Sequence, residues 1–197
     1  MSILRPVLLA AAPGTADLRG RERVAEQSRH ARLALAMSAE KSGAVLSELA
    51  KGEHDAPLPS LGWHWSISHA RAFSAGVVAQ GQPVGIDVEA IVPRKQDVVP
   101  RVASRGELEI LGGFRWETFF QVWTAKEAVL KKAGCGILEL SRCTVVAAPT
   151  AELLVVSHRG REHLVHLLLR HRHIAAVSCD GEHAVEWSLE AARELAT

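Results

Sequence analysis

A mixed fold of helices and strands is predicted for this 197-residue chain on three observations. Residues 121–136, QVWTAKEAVLKKAGCG, favour a helix, and Gly134 and Gly136 stop it. Residues 83–89, PVGIDVE, alternate apolar and polar with the period of two that a strand imposes. Beyond Gly136, apolar runs at 143–147, 153–157, 163–170 and 173–179 are separated by turn signals at Gly160 and Asp180-Gly181, so this part reads as strands.

The other elements follow in order. Residues 3–12 are apolar but too short for a signal peptide, and read as a first strand. Residues 17–51 are helical in pattern, with Asp17 as a cap and Gly43 dividing two helices. Leu33, Ala34 and Met37 give the first an apolar face, and Val45, Leu46 and Leu49 the second. Pro57, Pro59 and Gly62 make 52–62 a loop. Strands at 63–68 and 72–79 lead through Gly81-Gln82 into the 83–89 strand. A polar loop at 93–100 precedes a short helix at 104–112, opened by a Ser104-x-x-Glu107 capping box. Trp187 ends a last strand, and 189–196 reads as a short helix.

Composition bounds the function. With 48% hydrophobic and 23% charged residues, the chain has ample material for a core, in one domain or two small ones. A net charge of +1 offers no basic field for nucleic acid. No run approaches the roughly 20 apolar residues of a membrane span. Cys135, Cys143 and Cys179 lack metal-site spacing, and their odd number fits reduced thiols in a cytoplasmic setting. His163 and His166 fall on opposite strand faces, so with His171 and His173 they read as exposed histidines rather than a metal cluster.

Three short stretches carry chemistry. In the 121–136 helix Thr124 can serve as N-cap, and Glu127 and Lys131, four apart, share a face. Asp87 and Glu89 lie on one face of their strand, about 7 Å apart. Carboxylates that close repel unless a cation lies between them, and a hard ion such as Mg²⁺ takes carboxylate oxygens and substrate phosphate together. Residues 65–69, WSISH, form a strand ending in Ser68-His69, both able to donate to phosphate. Singly, each also fits ordinary surface: a Glu–Lys pair worth about 0.3–0.5 kcal/mol, an edge strand, a hydrogen-bonded histidine.

In combination and in this order, SISH (66–69), GIDVE (85–89) and WTAKEAVLK (123–131) resemble the 4′-phosphopantetheinyl transferases, of the single-chain type that activates carrier proteins of peptide and polyketide synthases. RVASRGE (101–107) resembles a further segment of that family, with Val102 and Ala103 replacing two aromatics. The resemblance implies an α+β fold of two similar halves about a pseudo-two-fold axis, residues 1–82 and 83–197, with the active site between them. It implies Mg²⁺ held by Asp87, Glu89 and Glu127, and coenzyme A bound through Arg32, Ser68, His69, Lys126 and Lys131. Glu127 would be the base, and Lys131 would stabilise phosphate charge. The partners would be coenzyme A and an apo acyl or peptidyl carrier protein, the chain acting as a cytoplasmic monomer; the alternative is a binding module for coenzyme A or carrier that does not catalyse. Many family members place a lysine in the loop near the phosphates where this chain has Asp55-Ala56-Pro57, so that cationic contact is expected to be missing.

Overall fold

A computed structural model describes residues 2–191 apart from Pro13 and Glu182, and apart from the side chains of Ala16 and His54. Pro6 splits the first apolar run into β1 (Ser2–Leu4) and β2 (Val7–Ala10). The long helix α1 (Gly20–Ser42) follows, then β3 (Trp63–His69), β4 (Phe73–Gln80) and β5 (Val84–Ala90). Three helices come next: α2 (Val99–Val102), α3 (Arg105–Ile110) and α4 (Trp116–Lys132). Six strands follow among the described residues: β6 (Cys143–Thr150), β7 (Leu153–His158), β8 (Arg161–Arg170), β9 (His173–Cys179), β10 (His183–Val185) and β11 (Ser188–Glu190). Helices and sheets are both present, as an α+β fold requires.

Two main sheets are formed, in the orders β11-β2-β4-β3 and β5-β9-β8-β7-β6. The last strands return to the first: β10 runs parallel to β1, and β11 parallel to β2. Helix α1 lies on the first sheet at Gly76, where a Cβ would run into the backbone of Ala34 and Leu35. Helix α4 lies on the second at Gly85, where a Cβ would run into the Ala128 carbonyl and the Lys132 amide. A glycine at each contact lets helix backbone meet strand backbone.

The two sheets meet edge to edge without a ladder. Strand β5 ends the second sheet, and β3 ends the first. The Ile86 and Val88 amides, which have no neighbouring strand, donate to the Ser66 and Ser68 hydroxyls of β3 at 3.1 and 3.3 Å. Below this seam Val84, Ile86 and Val88 pack with Phe73, Ala75 and Val77, joining the sheets through one core. The alternation of 83–89 therefore puts Val84, Ile86 and Val88 into a core, and Asp87 and Glu89 toward α4.

Several elements differ from the sequence expectation. Helix α1 opens at Arg19, while Asp17 ends a separate 3-10 turn. Gly43 ends α1 at φ 66, but no second helix follows. Residues 44–50 run as an irregular segment whose Ala44, Leu46 and Leu49 cover Leu35, Ala39, Trp65 and Val78. Burying those side chains on α1 and β3 outweighs the segment's own helical pattern. Helix α4 begins two turns before Thr124. Its first turn is closed by the Arg115 amide donating to the Thr118 hydroxyl, and Thr124 instead donates back to the Phe120 carbonyl in mid-helix. Leu189 and Glu190 belong to β11, and the rest of the expected 189–196 helix lies largely outside the described residues. The Ser104–Glu107 capping box is present as read.

Candidate functional site

The site is built on β5, the end of β3 and the last two turns of α4. Asp87 is 4% exposed. Its Oδ1 accepts from the Ser68 hydroxyl at 2.8 Å and from Lys131 Nζ at 2.7 Å. Its Oδ2 is buried with no hydrogen-bond partner among the described residues, and so is Oε1 of Glu127. Two buried carboxylate oxygens without a donor are costly, and a cation is what such a pair lacks.

The acidities agree with that geometry. Burial, with Asp87 and Glu127 adding to it and Arg94 and Lys131 opposing it, pushes Glu89 up to about 7. Burial also raises Glu127, with Asp87 again adding to the shift and Lys131 opposing it. The three carboxylates thus repel one another in one place. Burial and the charge of Lys131 hold His69 below its ordinary value, so its imidazole is neutral more readily.

Two clefts flank this cluster. One, of about 370 Å³, is lined by His69 and Glu89 together with Arg23, Arg71 and Arg94. The other, of about 230 Å³, is lined by Lys131, Lys51, Trp65, Ala56, Pro57 and Cys135. The first joins Glu89 to cationic walls, which suits a phosphate that shares a cation with carboxylates, and the second reaches the cluster through Lys131, whose ammonium meets Asp87.

Asp87, Glu89, Glu127, Lys131, Ser68 and His69 are brought together, while Lys126 and Arg32 are not. Lys126 is 3% exposed and donates to Glu107 Oε1 at 2.7 Å and to the Val102 carbonyl at 2.6 Å. One residue before Glu127 on the helix, it points about 100° away and pins α4 to α2 and α3. Within the site the Ser68 hydroxyl donates to Asp87, and its oxygen receives the Val88 amide. Arg32 is exposed and borders a different groove, with Leu35, Leu46 and Leu49. Arg23, nine residues earlier, lies half a turn round α1 and reaches the His69–Glu89 cleft instead.

Sequence reasoning missed Arg71 and Lys51. Arg71 follows His69 by two residues in the β3–β4 turn, and that spacing was its one available signal. Lys51 lines the cleft beside 55–57, with its ammonium 3.7 Å from Asp55 Oδ1. A bridge between Lys51 and Pro57 folds it into the same cleft as Ala56, and this pairing left no mark in the local pattern.

Residues 83–186, more than half of the chain, match the family model of the 4′-phosphopantetheinyl transferase superfamily. The chain belongs to that superfamily. The matched segment carries Asp87, Glu89, Glu127 and Lys131, whereas Ser68 and His69 precede it. Among curated proteins, the chain is similar to 4′-phosphopantetheinyl transferase HetI of Nostoc sp. (strain PCC 7120), 30% identical over 92 residues, which are 44% of this chain and 39% of HetI. It is also similar to 4′-phosphopantetheinyl transferase psf-1 of Bacillus pumilus, 37% identical over 84 residues, 41% of this chain and 35% of psf-1. The similarity thus spans well under half of each relative's length.

Proposed function

We propose that this chain transfers the 4′-phosphopantetheine group of coenzyme A to a serine hydroxyl of an apo carrier protein, releasing 3′,5′-ADP. The observation that carries this reading is the cluster of three carboxylates, two with an unpartnered buried oxygen, between clefts with cationic walls, in a chain of this superfamily. In the reaction the carrier hydroxyl attacks the β-phosphorus of coenzyme A. A P–O bond to the carrier forms, and the P–O bond to the 3′,5′-ADP oxygen breaks.

The donor set fits Mg²⁺: hard carboxylate oxygens, with room beside them for phosphate. Asp87, Glu89 and Glu127 would hold it, and when bound it would neutralise charge on the pyrophosphate. Glu127 would take the proton of the attacking hydroxyl, directly or through a water held at the cation. Lys131 is held at Asp87 and stabilises charge on the departing oxygens. Ser68 fixes the rotamer of Asp87 through its hydrogen bond. His69, Arg23, Arg71 and Arg94 bind the phosphates of coenzyme A from one cleft, and Lys51 from the other.

Intact-mass spectrometry of an apo carrier protein incubated with the chain, coenzyme A and Mg²⁺ tests this. The expected result is a gain of one phosphopantetheine per carrier, abolished by EDTA and reduced roughly 100-fold or more in Glu127→Gln. Coenzyme A binding by the folded chain with no gain on acyl, peptidyl or aryl carriers would contradict transfer and favour a non-catalytic binding module.

A further inference from the structure

A second group of metal-type donors lies just beyond the end of α4. Cys135 Sγ, a carboxylate oxygen of Glu139 and a ring nitrogen of His158 all fall within 4.8 Å of one another. They come from two elements: Cys135 and Glu139 from the stretch after α4, and His158 from the end of β7. The His158 side chain is 3% exposed, and its Nε2 lies 3.0 Å from Glu139 Oε2. Cys135 and Glu139 are half-buried.

We propose that Cys135, Glu139 and His158 form a site for a borderline transition-metal ion of the zinc class, separate from the Asp87–Glu89–Glu127 cluster. One thiolate, one imidazole and one carboxylate make a three-donor set that leaves a fourth position for water, as open zinc sites do. Sulfur and nitrogen select against Mg²⁺, which prefers oxygen. Metal–donor bonds of about 2.0–2.3 Å require donors within roughly 4 Å of one another, a small rotation for two half-buried side chains. A cation already marks the place: the Arg159 guanidinium donates to both oxygens of Glu139. That side chain is 57% exposed and leaves without disturbing the core. His163, the neighbouring ring, is bound to Lys132 and is not a donor. Cys135 also lines the Lys131 cleft, so an ion here fixes the chain beside that wall.

Cobalt titration of the whole chain tests the site, with Co²⁺ standing for Zn²⁺ and the thiolate-to-cobalt charge-transfer band as readout. The carboxylates of the other cluster contain no sulfur and give no such band, so the outcome is independent of whether the chain transfers phosphopantetheine. The expected result is a band that saturates at one Co²⁺ per chain and is displaced by Zn²⁺. It disappears in Cys135→Ser. The affinity falls about tenfold or more in Glu139→Gln, and rises in Arg159→Ala, which removes the nearer of the two guanidinium groups paired with Glu139. No band in the folded wild type, or a band that persists in Cys135→Ser, overturns the proposal, as does an affinity unmoved by both Glu139→Gln and Arg159→Ala.

Discussion

Asp87 has one oxygen engaged twice and one engaged not at all. Ser68 and Lys131 hold Oδ1, and Oδ2 is left buried without a partner among the described residues. The consequence is a stability that depends on pH and on cations. Glu89 moves from an ordinary value of 4.5 to about 7. A carboxyl raised in the folded state keeps its proton where the unfolded chain has already lost it. Its favourable contribution is therefore complete below 4.5 and is lost as pH rises through about 7. A bound cation reverses that loss. Mg²⁺ is expected to raise Tm more at about pH 8 than at about pH 6, measured by differential scanning calorimetry. Equal shifts at both pH values would contradict a carboxylate site. The residue scale was partly legible in the sequence. Alternation put Asp87 and Glu89 on one face, and four-residue spacing put Glu127 with Lys131. It did not reveal that Ser68 spends its hydrogen on Asp87, because that bond joins residues nineteen apart on different strands.

Helix α4 is the element on which the account turns, since neighbouring residues of it do opposite things. Lys126 is buried against Glu107, whereas Lys131, 31% exposed, meets Asp87 at the cleft. Lys126→Met leaves Glu107 buried and unpaired, and is expected to cost about 3–5 kcal/mol in urea unfolding. Lys131→Met is expected to lose much less stability but about 100-fold in transfer, by intact mass of the carrier. The reverse pattern would exchange their roles. Position on the helix separates them, and sequence spacing showed only the angle between them, not which direction was inward. The same limit explains the helix start. Thr124 has capping chemistry, but Phe119, Phe120 and Val122 are buried on the core and carry the helix past it. Gly85 sets the height of α4 above β5. Gly85→Ala is expected to destabilise the fold by roughly 1–3 kcal/mol, since its Cβ meets helix backbone that has no rotamer to yield. Unchanged urea midpoints would show that α4 moves freely over the sheet.

At the scale of the whole molecule, the site lies where two sheets meet. Strand β5 presents amides that no strand covers, and Ser66 and Ser68 of β3 satisfy them. The bonds that join the sheets also place Asp87 against Ser68, so assembly and site share residues. This explains why the strands were readable one by one while their arrangement was not. Each alternation predicts a buried face but names no partner strand, and the return of β10 and β11 to β1 and β2 joins residues about 180 positions apart. It also explains why Lys51 escaped notice: a part of the chain distant from α4 and β5 delivers it to the cleft beside Lys131. The central claim is that Asp87, Glu89 and Glu127 together hold one divalent cation. Mn²⁺ in place of Mg²⁺, followed by loss of the free-ion paramagnetic resonance signal as the chain is titrated, tests it most directly. The account predicts one Mn²⁺ bound per chain at this site, competed by Mg²⁺ and lost in both Asp87→Asn and Glu127→Gln while each variant stays folded. Mn²⁺ binding that is absent from the wild type, or unchanged in both variants, would contradict it.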